Sequence, residues 1–126
     1  MKIRNLEQLR AAHAISKCAS IRGGKGDGDP TGVVKKIPAQ VISCGLLASM
    51  AFAKEKSEGY ADVFNAFIDY CSSIDSCFSL NSKTIDEAIK EISRMDSCQL
   101  RYVTAEFMKY LSYLRRFVEK SSKEER

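Results

Sequence analysis

Apolar positions in this chain recur three and four residues apart, the spacing of helices, and divide it into six segments. The first is expected from about Ile3 to Arg22. Leu6, Leu9 and His13 share one of its faces, while Ala11, Ala14, Ile15 and Cys18 crowd another. Apolar residues on two sides predict a helix packed by more than one neighbour. GGKGDGDPTG, from Gly23 to Gly32, is the one plain loop signal and reads as a flexible connector. A second helix is expected over Val33–Gly45. Pro38 lacks an amide donor, so it must lie in the first turn or mark a kink. Gly45 suits a helix end, and the Ala- and Leu-rich LLASMAFAKEK predicts a third helix behind it.

In YADVFNAFIDYC the residues Tyr60, Phe64, Phe67, Ile68 and Cys71 form one stripe, with Asp62, Asn65 and Asp69 largely off it. The stretch from Ser72 to Lys83 is irregular, with Phe78 and Leu80 expected to tuck inward. Thr84 and Glu87 have the spacing of a capping box, opening a fifth helix that buries Ile85, Ala88, Ile89 and Ile92. The last helix is expected from Asp96 or Ser97 to about Ser121. At 100° per residue, Leu100, Val103, Phe107, Leu111, Leu114 and Val118 fall in one arc. Arg101, Lys109, Ser112, Arg116 and Lys120 fall in the opposite arc, with Glu119 the one intruder and Tyr102 and Tyr113 on the flanks. No useful strand-like alternation occurs. The expected fold is all-α: a single domain over 1–126, a bundle of about six helices ending in a long amphipathic one.

Composition narrows the class. With 126 residues, 44% of them hydrophobic and 29% charged, the chain can bury a real core and is not of disordered type. Charges among the first apolar residues argue against a signal peptide, and no run approaches the ~18 apolar residues of a membrane span. Cys18, Cys44, Cys71, Cys77 and Cys98 are odd in number and contain no C-x-x-C pair. Most have apolar neighbours, so buried free thiols in a reducing cytoplasm are expected rather than disulfides or zinc.

Candidate chemistry is sparse. His13 is the lone histidine and shares a face with Leu6 and Leu9, where a packing role is expected. Its five-residue spacing to Cys18 points the two side chains apart, against a dyad. The glycine loop lacks a phosphate-loop lysine pattern and follows a helix. Asp27 to Gly32 imitates half of a calcium loop, but the twelfth position would be Pro38, where a bidentate glutamate is required. Carboxylates such as Glu55, Glu58, Asp62, Asp69, Asp86, Glu87 and Glu106 are expected on polar faces among lysines or at helix starts, and none stands out as a buried acid–base couple. Neither a catalytic residue nor a cofactor site is expected.

The net charge of +4 acquires meaning only where cations gather. Lys35 and Lys36 precede the proline, Lys54 and Lys56 close the third helix, and the last helix carries its own stripe. Spacing alone leaves two readings open, a solvated face and a face that neutralises phosphates. The flanking tyrosines could stack on bases or rim the core.

Three segments in order resemble the small helical subunit of type III-B CRISPR RNA-guided effector complexes, the fifth protein of the Cmr (RAMP module) set. IRNLEQLRAAHA is similar to that family's opening helix. VKKIPAQVISCGLLASMAFAKEK resembles its basic pair, apolar-Pro step, apolar helix and lysine-ended helix, and LRYVTAEFMKYLSYLRRFVEK its closing helix. The region from Gly59 to Met95 is similar only in helical pattern. The resemblance implies a cytoplasmic, non-catalytic subunit whose copies stack along a filament of repeat-family subunits. It also implies contact with the large polymerase-like subunit and with guide and target RNA. Residue by residue it nominates Arg10, Lys35, Lys36, Lys54, Arg101, Arg115 and Arg116 as RNA-facing. The closing-helix spacing independently nominates Arg101, Lys109, Arg116 and Lys120, so Arg101 and Arg116 lead. The competing expectation is a helical protein–protein adaptor without a nucleic-acid role.

Overall fold

A computed structural model of the chain describes residues 5–21, 30–56, 58–74 and 79–124. These contain α1 (Leu6–Lys17), α2 (Pro30–Cys44), α3 (Leu46–Lys56), α4 (Glu58–Ser72), α5 (Ile85–Ser93) and α6 (Ser97–Glu124), with no strand among the described residues. The fold is all-α, ending in the long amphipathic helix that the spacing predicts. Cys77, Phe78 and residues 22–29, the body of the expected glycine-rich connector, lie outside the described residues, as does the side chain of Lys120.

Local chemistry sets the helix ends. Asn5 caps α1: its side chain accepts from the Gln8 amide at 2.9 Å while the Gln8 side chain accepts from the Asn5 amide at 2.9 Å. This reciprocal box starts α1 at Leu6 rather than Ile3. The chain then tightens into a 3-10 turn over Cys18–Ser20, and Ile21 turns extended and buried. Helix α2 begins at Pro30, earlier than the expected Val33. A proline suits a first helical position, because the amide it lacks would have had no partner there. Pro38 lies in the interior of α2, not its first turn. It cannot donate to the Val34 carbonyl, so the ladder is interrupted there. Thr84 caps α5 by accepting from the Glu87 amide at 3.2 Å, but the Glu87 side chain accepts from the Lys83 amide instead of closing the box on Thr84.

Helix α6 packs against α1 and α2, α4 joins α2 and α3, and α5 closes on α3 and α4. Val103, Phe107, Leu111, Leu114 and Val118 are buried as their spacing predicts, with Leu100 half-buried. The whole expected stripe of α4 is buried, joined by Val63 and Tyr70. Phe64 stacks on Phe107 with centroids 5.0 Å apart, and Phe67 meets Phe107 edge-on at 4.9 Å. Ile15 departs from expectation: it is exposed, and of α1 only Ala14 is fully buried. Ile89 is half-buried, and Leu80 is buried as expected. Two cysteines also depart, since Cys44 and Cys98 are exposed, whereas Cys71 is buried and Cys18 half-buried; all four are free.

Gly45 is the hinge between α2 and α3. Its φ of +91° reverses the chain after its amide donates to the Val41 carbonyl at 2.8 Å. A Cβ there would meet nothing within 4 Å, so the conformation alone demands glycine. Gly45→Ala is expected to lower stability by about 1 kcal/mol or more, read as a lower denaturation midpoint at unchanged slope.

Candidate nucleic-acid interface

Burying one arc of α6 turns the opposite arc to solvent. Arg101, Lys109, Ser112, Arg115 and Arg116 are all exposed, as are Lys35 and Lys36 on α2. Two depressions lie along the seam between these helices. One, of about 430 Å³, is lined by Pro38 together with Met108, Leu111, Ser112, Arg115 and Arg116. The other, of about 540 Å³, lies where the turn from Cys44 to Ala48 meets Leu100, Arg101, Thr104 and Ala105. Earlier residues of α2 thus face later residues of α6, so the two helices run antiparallel. That direction brings Lys35 and Lys36, a turn before Pro38, toward the end of α6 that carries Arg115 and Arg116.

The depressions differ in chemistry. The first has two guanidinium groups in its lining. The second is lined mainly by apolar side chains, with Arg101 its one charge. The leading sequence pair is therefore split: Arg116 sits with Arg115 at the polar end, and Arg101 at the apolar end. Fifteen residues of helix separate them, about 22 Å at 1.5 Å per residue. Lys109 is exposed but lines neither depression.

Lys54 and Arg10 hold ion pairs between helices. Lys54 donates to Asp86 at 2.5 Å, tying α3 to α5 through a pair in which both side chains are more than half exposed. Arg10 is only 11% exposed. Its Nε donates to Glu106 Oε2 at 2.5 Å and its Nη2 to Oε1 at 2.7 Å, a bidentate pair between α1 and α6. Tyr70 of α4 donates its hydroxyl to Glu106 Oε2 at 2.8 Å. Glu106 is 4% exposed, so the expectation that it sits on a polar face is wrong. At 100° per residue Glu106 falls about 60° outside the apolar arc, beyond Val103 and Tyr110, so spacing alone did not place it inward; buried there, its carboxylate needs a partner. The Tyr70 hydroxyl is pushed well above its ordinary range, first by burial and then by its bond to Glu106.

His13 extends this polar seam. Its Nε2 lies 2.7 Å from Asp69 Oδ2, and its Nδ1 2.7 Å from the Tyr110 hydroxyl. The carboxylate can only accept, so Nε2 carries the proton; in the neutral ring Nδ1 then accepts from Tyr110. The imidazole packs against Tyr70 and Tyr110, each 5.5 Å away between centroids, the packing role its sequence context predicts. Lys17 adds an ion pair to Asp69 at 3.7 Å. Asp69 is held below the ordinary carboxylate value, chiefly by the His13 hydrogen bond and also by Lys17. Tyr113 is likewise engaged, donating to Glu7 at 2.9 Å, whereas Tyr102 remains 58% exposed beside Arg101. Among the described residues, no group of three or more His, Cys, Asp or Glu side chains could hold a metal ion. No helix among them is long and apolar enough to cross a membrane.

Two consequences are measurable. Glu106→Ala leaves the Arg10 guanidinium buried without its partner and is expected to destabilise by about 3–5 kcal/mol. Arg10→Met with Glu106→Met is expected to lose far less, and chemical denaturation of both variants checks the contrast. Asp69 titrates below its unfolded value of 3.8. Its contribution is therefore complete above that value and is lost as pH falls through the lower native one. The stability gap between wild type and Asp69→Asn should narrow as pH falls below 3.8 into strong acid.

Comparisons with known proteins agree with this architecture. Residues 6–121 match the family model described as CRISPR-associated protein (Cas_Cmr5). The structure is similar to the crystal structure of a CRISPR-associated Cmr5 family protein from Thermus thermophilus, with a TM-score of 0.72 and 20% sequence identity. That similarity covers 93% of this chain and 97% of the other. No curated protein matches it in sequence.

Proposed function

This chain belongs to the CRISPR-associated Cmr5 family, and from that premise we propose that it is a non-catalytic, RNA-facing small subunit of a cytoplasmic type III-B CRISPR effector complex serving antiviral defence. Its copies stack along the backbone of repeat-family subunits and reach the large polymerase-like subunit. Its basic surface lies against the guide–target RNA duplex.

The observation that carries this reading is the polar depression between α2 and α6. Arg115 and Arg116 flank it, and exposed Lys35 and Lys36 lie on the facing helix. Four cations on two rigid, antiparallel helices can follow a phosphate backbone without reading bases. Lys109 adds positive charge on the outer side of the same helix. Lys120 remains a candidate from its spacing alone. Arg10 and Lys54 are left out of the RNA face, because breaking the pairs with Glu106 and Asp86 would oppose any gain from phosphate.

Phosphate contacts from one copy are few, so affinity arises when several copies hold one duplex. The decisive measurement therefore uses the reconstituted complex. Reversing Lys35, Lys36, Arg115 and Arg116 to glutamate is expected to weaken target-RNA binding while leaving assembly intact. The slope of log affinity against log salt should fall by about 0.7–0.9 for each phosphate contact removed. Intact assembly with unchanged RNA affinity across the salt series would instead support the helical-adaptor reading.

A further inference from the structure

The chain has five tyrosines, and packing accounts for four of them. Tyr60 is buried, while the hydroxyls of Tyr70, Tyr110 and Tyr113 are hydrogen-bonded to Glu106, His13 and Glu7. Tyr102 is 58% exposed, and among the described residues neither its ring nor its hydroxyl has a partner. Its surroundings are cationic. At 100° per residue Tyr102, Ala105, Lys109 and Arg116 fall within about 60° of one another, all on the exposed side of α6, with exposed Arg101 on the flank. From Ser97 to Val118 the sequence holds one carboxylate, Glu106, and that one is buried. Between Tyr102 and Lys109 on this face stands Ala105, whose single methyl group leaves room beside the ring.

An aromatic ring carried on a rigid helix among cations suits an unpaired nucleobase, which stacks on the ring while its phosphates meet the cations. A base inside a duplex has both faces covered by its neighbours and cannot do this. We propose that Tyr102 is a stacking platform for an unpaired nucleotide of the bound RNA, with Lys109 and Arg101 holding phosphates near it. Lys109 stands about 10 Å along α6 from Tyr102, within the span of a few phosphates at roughly 3.4 Å each along a strand. The platform presupposes the RNA reading proposed above and adds a base contact to what is otherwise phosphate neutralisation. A protein partner fits the patch less well. The exposed residues around the ring are small or cationic, so the apolar neighbours that form the centre of a protein contact are missing.

The chain contains no tryptophan, so Tyr102→Trp sets a single fluorescent reporter on the platform without displacing a packed residue. Its emission is followed in the full chain at low salt as single-stranded oligoadenylate is added, beside a base-free sugar–phosphate strand of the same length. Oligoadenylate is expected to quench the emission, and the base-free strand to leave it unchanged. In the reconstituted complex, Tyr102→Ala should weaken RNA binding roughly 5- to 150-fold per stacked base. The slope of log affinity against log salt should stay as in wild type, because no phosphate contact is lost. Tyr102→Phe should keep wild-type affinity and Tyr102→Leu should not, which separates the ring from its bulk. Equal quenching by both strands, or by neither, overturns the platform. So does a Tyr102→Ala complex that binds RNA like wild type, or one that fails to assemble, since the ring then serves a protein contact. The RNA reading itself falls on a different result, unchanged affinity after reversal of Lys35, Lys36, Arg115 and Arg116.

Discussion

Glu106 sits at the meeting point of three helices, and its carboxylate receives the Arg10 guanidinium from α1 and the Tyr70 hydroxyl from α4. A carboxylate in that place is tolerable only if both oxygens are engaged, because burial without partners costs several kcal/mol. The three groups therefore specify one another. Helix α1 buries only Ala14 completely, so apolar packing alone would leave its rotation and height on the bundle loosely determined. The bidentate pair fixes both, and the His13, Lys17 and Asp69 contacts repeat the constraint farther along the helix.

The same constraint orients α6. With Glu106 held inward beside Phe107 and Tyr110, the opposite arc is committed to solvent, and its arginines become a surface feature. Helix α2 lies antiparallel against it and adds Lys35 and Lys36. The division of labour along the seam follows from what each turn of α2 supplies: a proline opposite two arginines at one end, a Gly-Leu elbow opposite Arg101 at the other. A polar end and an apolar end on one face permit two kinds of contact, with nucleic acid and with protein.

Much of this is legible in the sequence. Helical spacing located all six helices, and the buried arc of α6 and the stripe of α4 followed directly from periodicity. Gly45 as a helix end, Thr84 as a cap and His13 as a packing group were also readable. The boundaries were less so: Asn5 and Gln8 moved the start of α1, and Pro30 opened α2 within what read as loop. Both signals were local and available. The exposure of Ile15 and of two cysteines was not readable, because an apolar residue on a helix says nothing about whether a neighbour exists to cover it.

Sequence alone determined the helices and the two-sidedness of α6, because 3.6-residue periodicity is a property of neighbours along the chain. It also supplied the family resemblance, since that rests on ordered local motifs. Only tertiary structure decided which cations face solvent. Arg10 and Arg116 look alike in sequence, but one is paired with a carboxylate 96 residues away and the other is exposed. Long-range pairing leaves no periodic trace, so the buried ion pair, the Lys54–Asp86 bridge and the splitting of Arg101 from Arg116 emerged only when the helices were packed.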